Sequence, residues 1–119
     1  MRDHRKLKAF ALADQLALLI YDATRSFPED ERFGLTAQMR RAAVSIPANI
    51  VEACARYSEA DYLRMLVMAY GSAKELQYEV SLAKRLEYLD SIMAERTTCL
   101  ATQTVRTLSG LVTSIRRRR

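Results

Sequence analysis

The sequence predicts an all-α protein: an antiparallel up-down four-helix bundle with a kinked second helix, a single domain over residues 1–119. Three observations predict it. Only 3 glycines and 2 prolines occur in 119 residues, which leaves few turns and argues for long helices. Apolar residues recur at three- and four-residue spacing in four separate segments. The breaks between those segments are short, so consecutive helices become antiparallel neighbours. A chain of this length buries a core without disulfides or metals.

The first helix is expected from about Lys6 to Arg25. Phe10, Ala13, Ala17 and Ile20 form one apolar row, and Leu12, Leu16, Leu19 and Ala23 a second. Pro28 and Gly34 then bracket an acidic loop, "SFPEDERFG". The second helix starts near Leu35 and carries Leu35, Met39, Ala42, Ile46, Ile50 and Ala53 on one face. Ser58 followed by Asp61 resembles a capping box and marks the third helix. Its row is Tyr62, Leu66, Ala69, Ala73, Leu76, Val80 and Ala83. Asp90 is the expected N-cap of the fourth, whose row is Met93, Leu100, Thr104, Leu108, Leu111 and Ile115.

The second helix contains "RRAAVSIPANI", with Pro47 in its middle and Asn49, the sole asparagine, two residues on. An interior proline removes one backbone hydrogen bond and costs about 3 kcal/mol. It is expected to bend the helix or to start a new segment capped by Ser45 or Ile46. Asn49 is then placed to satisfy groups freed by the bend, or to cross to a neighbouring helix. Arg41, Ser45, Asn49, Glu52 and Arg56 make one polar stripe on this helix, and nearly everything else on it is apolar. The apolar arc is wider than one buried face requires. Leu63, Val67 and Tyr70 likewise point away from the core row of the third helix. An extra apolar face marks an interface, so homo-oligomerisation is expected through Arg40, Val44, Pro47, Val51, Leu63, Val67 and Tyr70. Arg40 is expected to lay its stem on a neighbouring helix or to pair across a subunit boundary.

Chemistry finds little purchase. The single histidine, His4, sits in a basic tail, and no Glu-x-x-His pair of a di-metal bundle is present. There is no glycine-rich phosphate loop and no nucleophile–histidine arrangement. Glu75 and Glu79, one turn apart beside Lys74, read as a solvated face. Cys54 and Cys99 lack metal-ligand spacing and read as two small buried side chains in a reducing, cytoplasmic setting. No enzyme, cofactor, metal site or membrane span is expected. The apolar stretch near the N-terminus is interrupted by Asp14 and Gln15, so it does not read as a signal peptide.

The segments "FPEDERFGLTAQMRRAAVSIPANIVEA", "GSAKELQYEV" and "LEYL" resemble the four-helix-bundle family of bacterial intervening-sequence proteins, whose founding members are encoded in inserts within large-subunit ribosomal RNA genes. The accessory proteins of diversity-generating retroelements look like relatives. The resemblance implies a homopentameric ring. In the retroelement branch it implies a basic surface that contacts nucleic acid and a reverse transcriptase. It supplies a fold far better than an activity. Three positions depart from the family pattern: Ala53, Ala55 and Glu87 stand where the family commonly has glycine. The changes imply longer, stiffer helix ends.

Charge gives the functional expectation. Residues 1–8 and 116–119 hold eight basic side chains (Arg2, Arg5, Lys6, Lys8, Arg116, Arg117, Arg118 and Arg119) against Asp3, a formal +7, whereas the remaining 107 residues sum to −2. In an up-down bundle of four helices both termini lie at the same end. The two tails are therefore expected to converge there, and a pentamer would multiply the charge to about +35. Such a patch attracts RNA or DNA backbones in a salt-dependent way. Two plainer alternatives stand beside it: solubilising tails, or a ring that binds only other proteins.

Overall fold

A computed structural model describes residues 2–118. Four helices follow one another: α1 (Lys8–Thr24), α2 (Leu35–Cys54), α3 (Glu59–Arg85) and α4 (Ser91–Arg118). Each packs on its sequence neighbours and α1 closes the square against α4, with no diagonal pair among the described residues. That is an up-down four-helix bundle, 45 Å along its longest axis. A single turn of 3₁₀ helix, His4–Lys6, precedes α1, which therefore starts two residues later than the sequence suggests.

The core runs through all four helices and is rich in alanine (Ala13, Ala43, Ala53, Ala69, Ala73, Ala83 and Ala101), so the backbones approach closely. Leu16, Ile20, Met39, Ile46, Ile50, Leu66, Leu76, Leu108 and Ile115 fill the space between them. In α1 the buried seam is Ala9, which neither expected row contains, with Ala13 and Ile20 from the first row and Leu16 and Ala23 from the second. Three buried threonines cost little, because their hydroxyls donate to a carbonyl one turn back: Thr24 to Ile20, Thr97 to Met93 and Thr104 to Leu100, at 2.7–2.8 Å.

Helix ends follow local chemistry. Ser58 Oγ accepts from the Asp61 amide at 3.0 Å, and Asp90 Oδ1 from the Met93 amide at 2.7 Å, so both expected N-caps form. The start of α2 is capped from farther away. Glu31 in the acidic loop accepts the Leu35 amide on Oε1 (3.0 Å) and the Tyr88 hydroxyl on Oε2 (2.8 Å). These two hydrogen bonds hold its carboxyl below the usual range. They tie the α1–α2 loop to the α3–α4 link, where Tyr88 also packs on Phe27 with ring centroids 5.3 Å apart. Gly34 permits this cap: a Cβ there would stand 2.7 Å from Glu31 Oε1.

The expectation of a stiffer helix end fails at Glu87. Its φ is +61°, the only positive value among the described residues. The chain turns there as a glycine would, and the α3 terminus closes with Tyr88 N–H on the Ala83 carbonyl and Glu87 N–H on that of Lys84, both 3.0 Å.

Helix α2 runs unbroken through Pro47, so no new segment starts at Ser45 or Ile46. Asn49 Nδ2 donates to Ser45 Oγ at 3.0 Å, and Ser45 Oγ lies 3.0 Å from Ser72 Oγ of α3. The Asn49 amide thus bonds within its own helix, and the contact across to α3 is made by Ser45. Within the polar stripe of α2, Ser45 and Asn49 therefore form a short hydrogen-bonded seam with Ser72 of α3. Among the described residues no helix is long and apolar enough to cross a membrane.

Candidate nucleic-acid interface at one pole

Both tails reach the same end of the bundle, where α2 ends, α3 begins and α4 ends. The N-terminal segment is fastened there by its backbone: Arg2 N–H donates to the Cys54 carbonyl at the end of α2, at 2.9 Å. The Arg2 guanidinium lies 3.6 Å from the centroid of the buried Tyr62 ring, a close cation–π contact. From the other terminus, Arg118 pairs with Glu59 in the first turn of α3 at 3.1 Å. Burial raises the Tyr62 hydroxyl and the Cys54 thiol above their ordinary pKa values. Both therefore stay neutral beneath the arginines.

The pole's cations divide by what they already hold. Arg5 makes a two-pronged contact with Asp3 (both 3.0 Å), and that hydrogen bonding holds the Asp3 carboxyl down at about 2. Asp3 also caps the 3₁₀ turn through the Arg5 amide. Arg56 pairs with Glu52, and Arg64 lies 3.8 Å from Asp61. Arg2 and Arg118 are engaged as described. Lys6, Lys8, Arg116 and Arg117 are exposed and make no ion pair among the described residues. Arg119 lies outside the described residues. Counted by position, the pole holds nine basic side chains against Asp3, Glu52, Glu59 and Asp61, a formal +5. At the opposite pole Asp22, Glu29, Asp30, Glu31, Glu87, Asp90 and Glu95 outnumber Arg25, Arg32, Lys84, Arg85 and Arg96. The molecule is thus polarised along its long axis.

Beside the pole a groove of about 220 Å³ opens between α3 and α4, lined by Val67, Tyr70, Ser109, Val112, Thr113 and Arg116. Residues expected at one oligomer interface are split by the fold. Leu63, Val67 and Tyr70 are half-buried against the core, the latter two on the α4 side of α3. Arg40, Val44, Pro47 and Val51 form a row at 4-3-4 spacing on the α1 side of α2. Arg40 heads that row and works within the chain. Its Nε donates to Thr24 Oγ1 at 2.8 Å, and its guanidinium lies 4.7 Å from the Tyr21 ring centroid, clamping the last turn of α1. Val44 and Val51 remain exposed.

Two sequence readings need correction. Cys54 is buried but Cys99 is exposed, on the outer side of α4 from Thr97 and Ala101. Glu79 is not on a solvated face: only 4% of it is exposed, and its Oε1 has no hydrogen-bond partner. The most exposed apolar side chains of the helices are Leu18 of α1 and Ile92 of α4, at 70% and 72%, neither of which belongs to an expected interface. Ile92 shares a groove of about 420 Å³ with Leu19, Cys99 and Leu100, between α1 and α4. Leu19 belongs to the second apolar row of α1, whereas Leu18 falls outside both rows, on the side of Asp14, Gln15 and Asp22. No three His, Cys, Asp or Glu side chains cluster as a metal site would require, among the described residues.

Comparison with known proteins agrees with this architecture. The model of the 23S rRNA-intervening sequence protein family matches residues 5–110. A crystal structure of a protein with unknown function from the S23 ribosomal protein family of Bacteroides thetaiotaomicron is similar, at 27% identity and a TM-score of 0.78, over 87% of this chain and 97% of that one. No curated protein matches. The chain belongs to the 23S rRNA-intervening sequence protein family.

Proposed function

We propose that this family member is a non-enzymatic, homo-oligomeric accessory or scaffold protein of the cytoplasm that holds RNA or DNA electrostatically at its basic pole. One observation carries the reading: two tails from opposite ends of the sequence meet at one end of the bundle, and Lys6, Lys8, Arg116 and Arg117 there have no acidic partner among the described residues. A pole of this kind recognises the phosphate backbone and leaves sequence unread. A cyclic assembly, for which a pentamer is the family's implied form, would gather several poles on one rim and raise avidity without new contacts. A reverse transcriptase or another nucleic-acid enzyme is the partner class such a scaffold would serve.

Salt dependence tests the reading. If the four free cations each neutralise one phosphate, log K falls with log salt at a slope of about −3 per protomer on single-stranded RNA. Replacing Arg116 and Arg117 with Gln removes about 1.4 of that slope. Binding that ignores both salt and these arginines refutes it. It would favour the second reading, a ring that binds only proteins, which the exposed Leu18, Ile92, Val44 and Val51 support.

A further inference from the structure

Glu79 is the one side chain among the described residues with a buried polar atom left unpartnered. It lies on the side of α3 that meets α2, in line with Ser72 two turns earlier. The hydroxyls of that seam are already committed, since Ser45 and Ser72 bond each other and Asn49 donates to Ser45. The charged groups facing Glu79 are Glu75, one turn back on α3, and Arg41 on α2. Glu75 is exposed and stands four residues before Glu79, where side chains of one helix face meet. Arg41 is exposed too and forms no ion pair with either carboxylate. An ionised Glu79 would have an oxygen out of water with no donor, beside a second negative charge.

We infer that Glu79 and Glu75 form a proton-binding site in which Glu79 carries one proton and donates it to Glu75 across a turn of α3. The arrangement answers each observation. A protonated Glu79 is neutral and tolerates burial, its hydroxyl supplies the donor that the seam lacks, and Glu75 takes the remaining charge toward water. Burial first, and then the Glu75 charge, push the Glu79 carboxyl up to about 7, with Arg41 opposing. As pH rises through that value the proton leaves to water and the two carboxylates repel. Glu79 then draws Arg41 across the α2–α3 seam. The sign is that of an acid whose folded pKa lies above its unfolded value of 4.5. The folded state binds the extra proton, so stability is greatest below 4.5 and declines as pH rises through 7.

Carbon-13 NMR of the glutamate side chains in the intact protein tests this directly. Glu79 is expected to titrate near 7, and Glu75→Gln, at an exposed position, is expected to lower its midpoint by removing the adjacent charge. A midpoint for Glu79 in the ordinary carboxylate range, or one indifferent to Glu75→Gln, overturns the inference. A basic side chain from a second copy seated on Glu79 would give that low midpoint. Thermal melts supply a second readout: wild-type Tm falls between about pH 5 and about pH 8, and Glu79→Gln is expected to abolish that fall. An identical fall in the variant would assign the pH dependence to other groups.

Discussion

Glu87→Gly tests whether the backbone, and not the residue, defines the α3–α4 link. Glu87 stands in the left-handed region with φ +61° because the terminus of α3 demands that turn. A residue with a Cβ is disfavoured there by about 1–2 kcal/mol. Glycine removes that cost but gives up about 0.5–1 kcal/mol in unfolded-chain entropy. The expected gain is therefore about 0.5–1 kcal/mol, a rise in Tm of a few degrees at this chain length. Glu87 is exposed and forms no ion pair among the described residues, so loss of its charge contributes little. Glu87→Ala is the control, since it removes the charge and keeps the Cβ, and its stability should match the wild type. The assay is urea unfolding at fixed protein concentration, because assembly would otherwise shift the midpoint. Reasoning from strain is refuted if glycine and alanine give the same midpoint, or if glycine lowers it.

Three further outcomes follow from named contacts. Arg40→Met is expected to lose about 1–2 kcal/mol in urea unfolding, since it deletes the bond to Thr24 and the cation over Tyr21; Arg40→Lys should recover only part, lacking the fork. Gly34→Ala should lower Tm by driving Glu31 off the Leu35 amide, while RNA binding at the far pole stays unchanged. Pro47→Ala should leave the far-ultraviolet helix signal intact, because α2 is already continuous, and lower the mass seen by light scattering if Pro47 shapes the assembly face; unchanged mass counts against that role.

Much of the bundle was legible because helix period and cap chemistry are local. The apolar rows of α2 and α3, Ser58 and Asp90 as caps, and the meeting of the tails all follow from spacing and helix number. What escaped depends on pairs distant in sequence. Glu31 caps α2 while holding Tyr88, 57 residues away, and a loop with four acidic or basic residues in "EDER" gives no sign which one turns inward. Glu79 looks solvated beside Lys74 and Glu75, and only the position of α2 makes it buried. Cys99 failed in the opposite direction, because a small apolar side chain carries no periodic signal alone. The Glu87 backbone was hidden for another reason: substituting glycine in a family pattern suggests lost freedom, yet the hydrogen bonds to Ala83 and Lys84 hold the turn regardless.

The polarity of the molecule bears on how its parts combine. The basic pole is assembled from ends that the core does not need: its free cations make no contact that α1–α4 depend on, and Lys6, Lys8, Arg116 and Arg117 are all exposed. The Glu31–Tyr88 tie and the Glu87 turn lie at the other pole, while the Glu79 seam sits between the two. Perturbations at the two ends share no partners, so their free energies should add, as they do for independent sites. A double variant combining Glu87→Gly with Arg116→Gln and Arg117→Gln should keep the whole stability gain and the whole loss of salt slope. Non-additive effects would mean that the poles communicate along the helices.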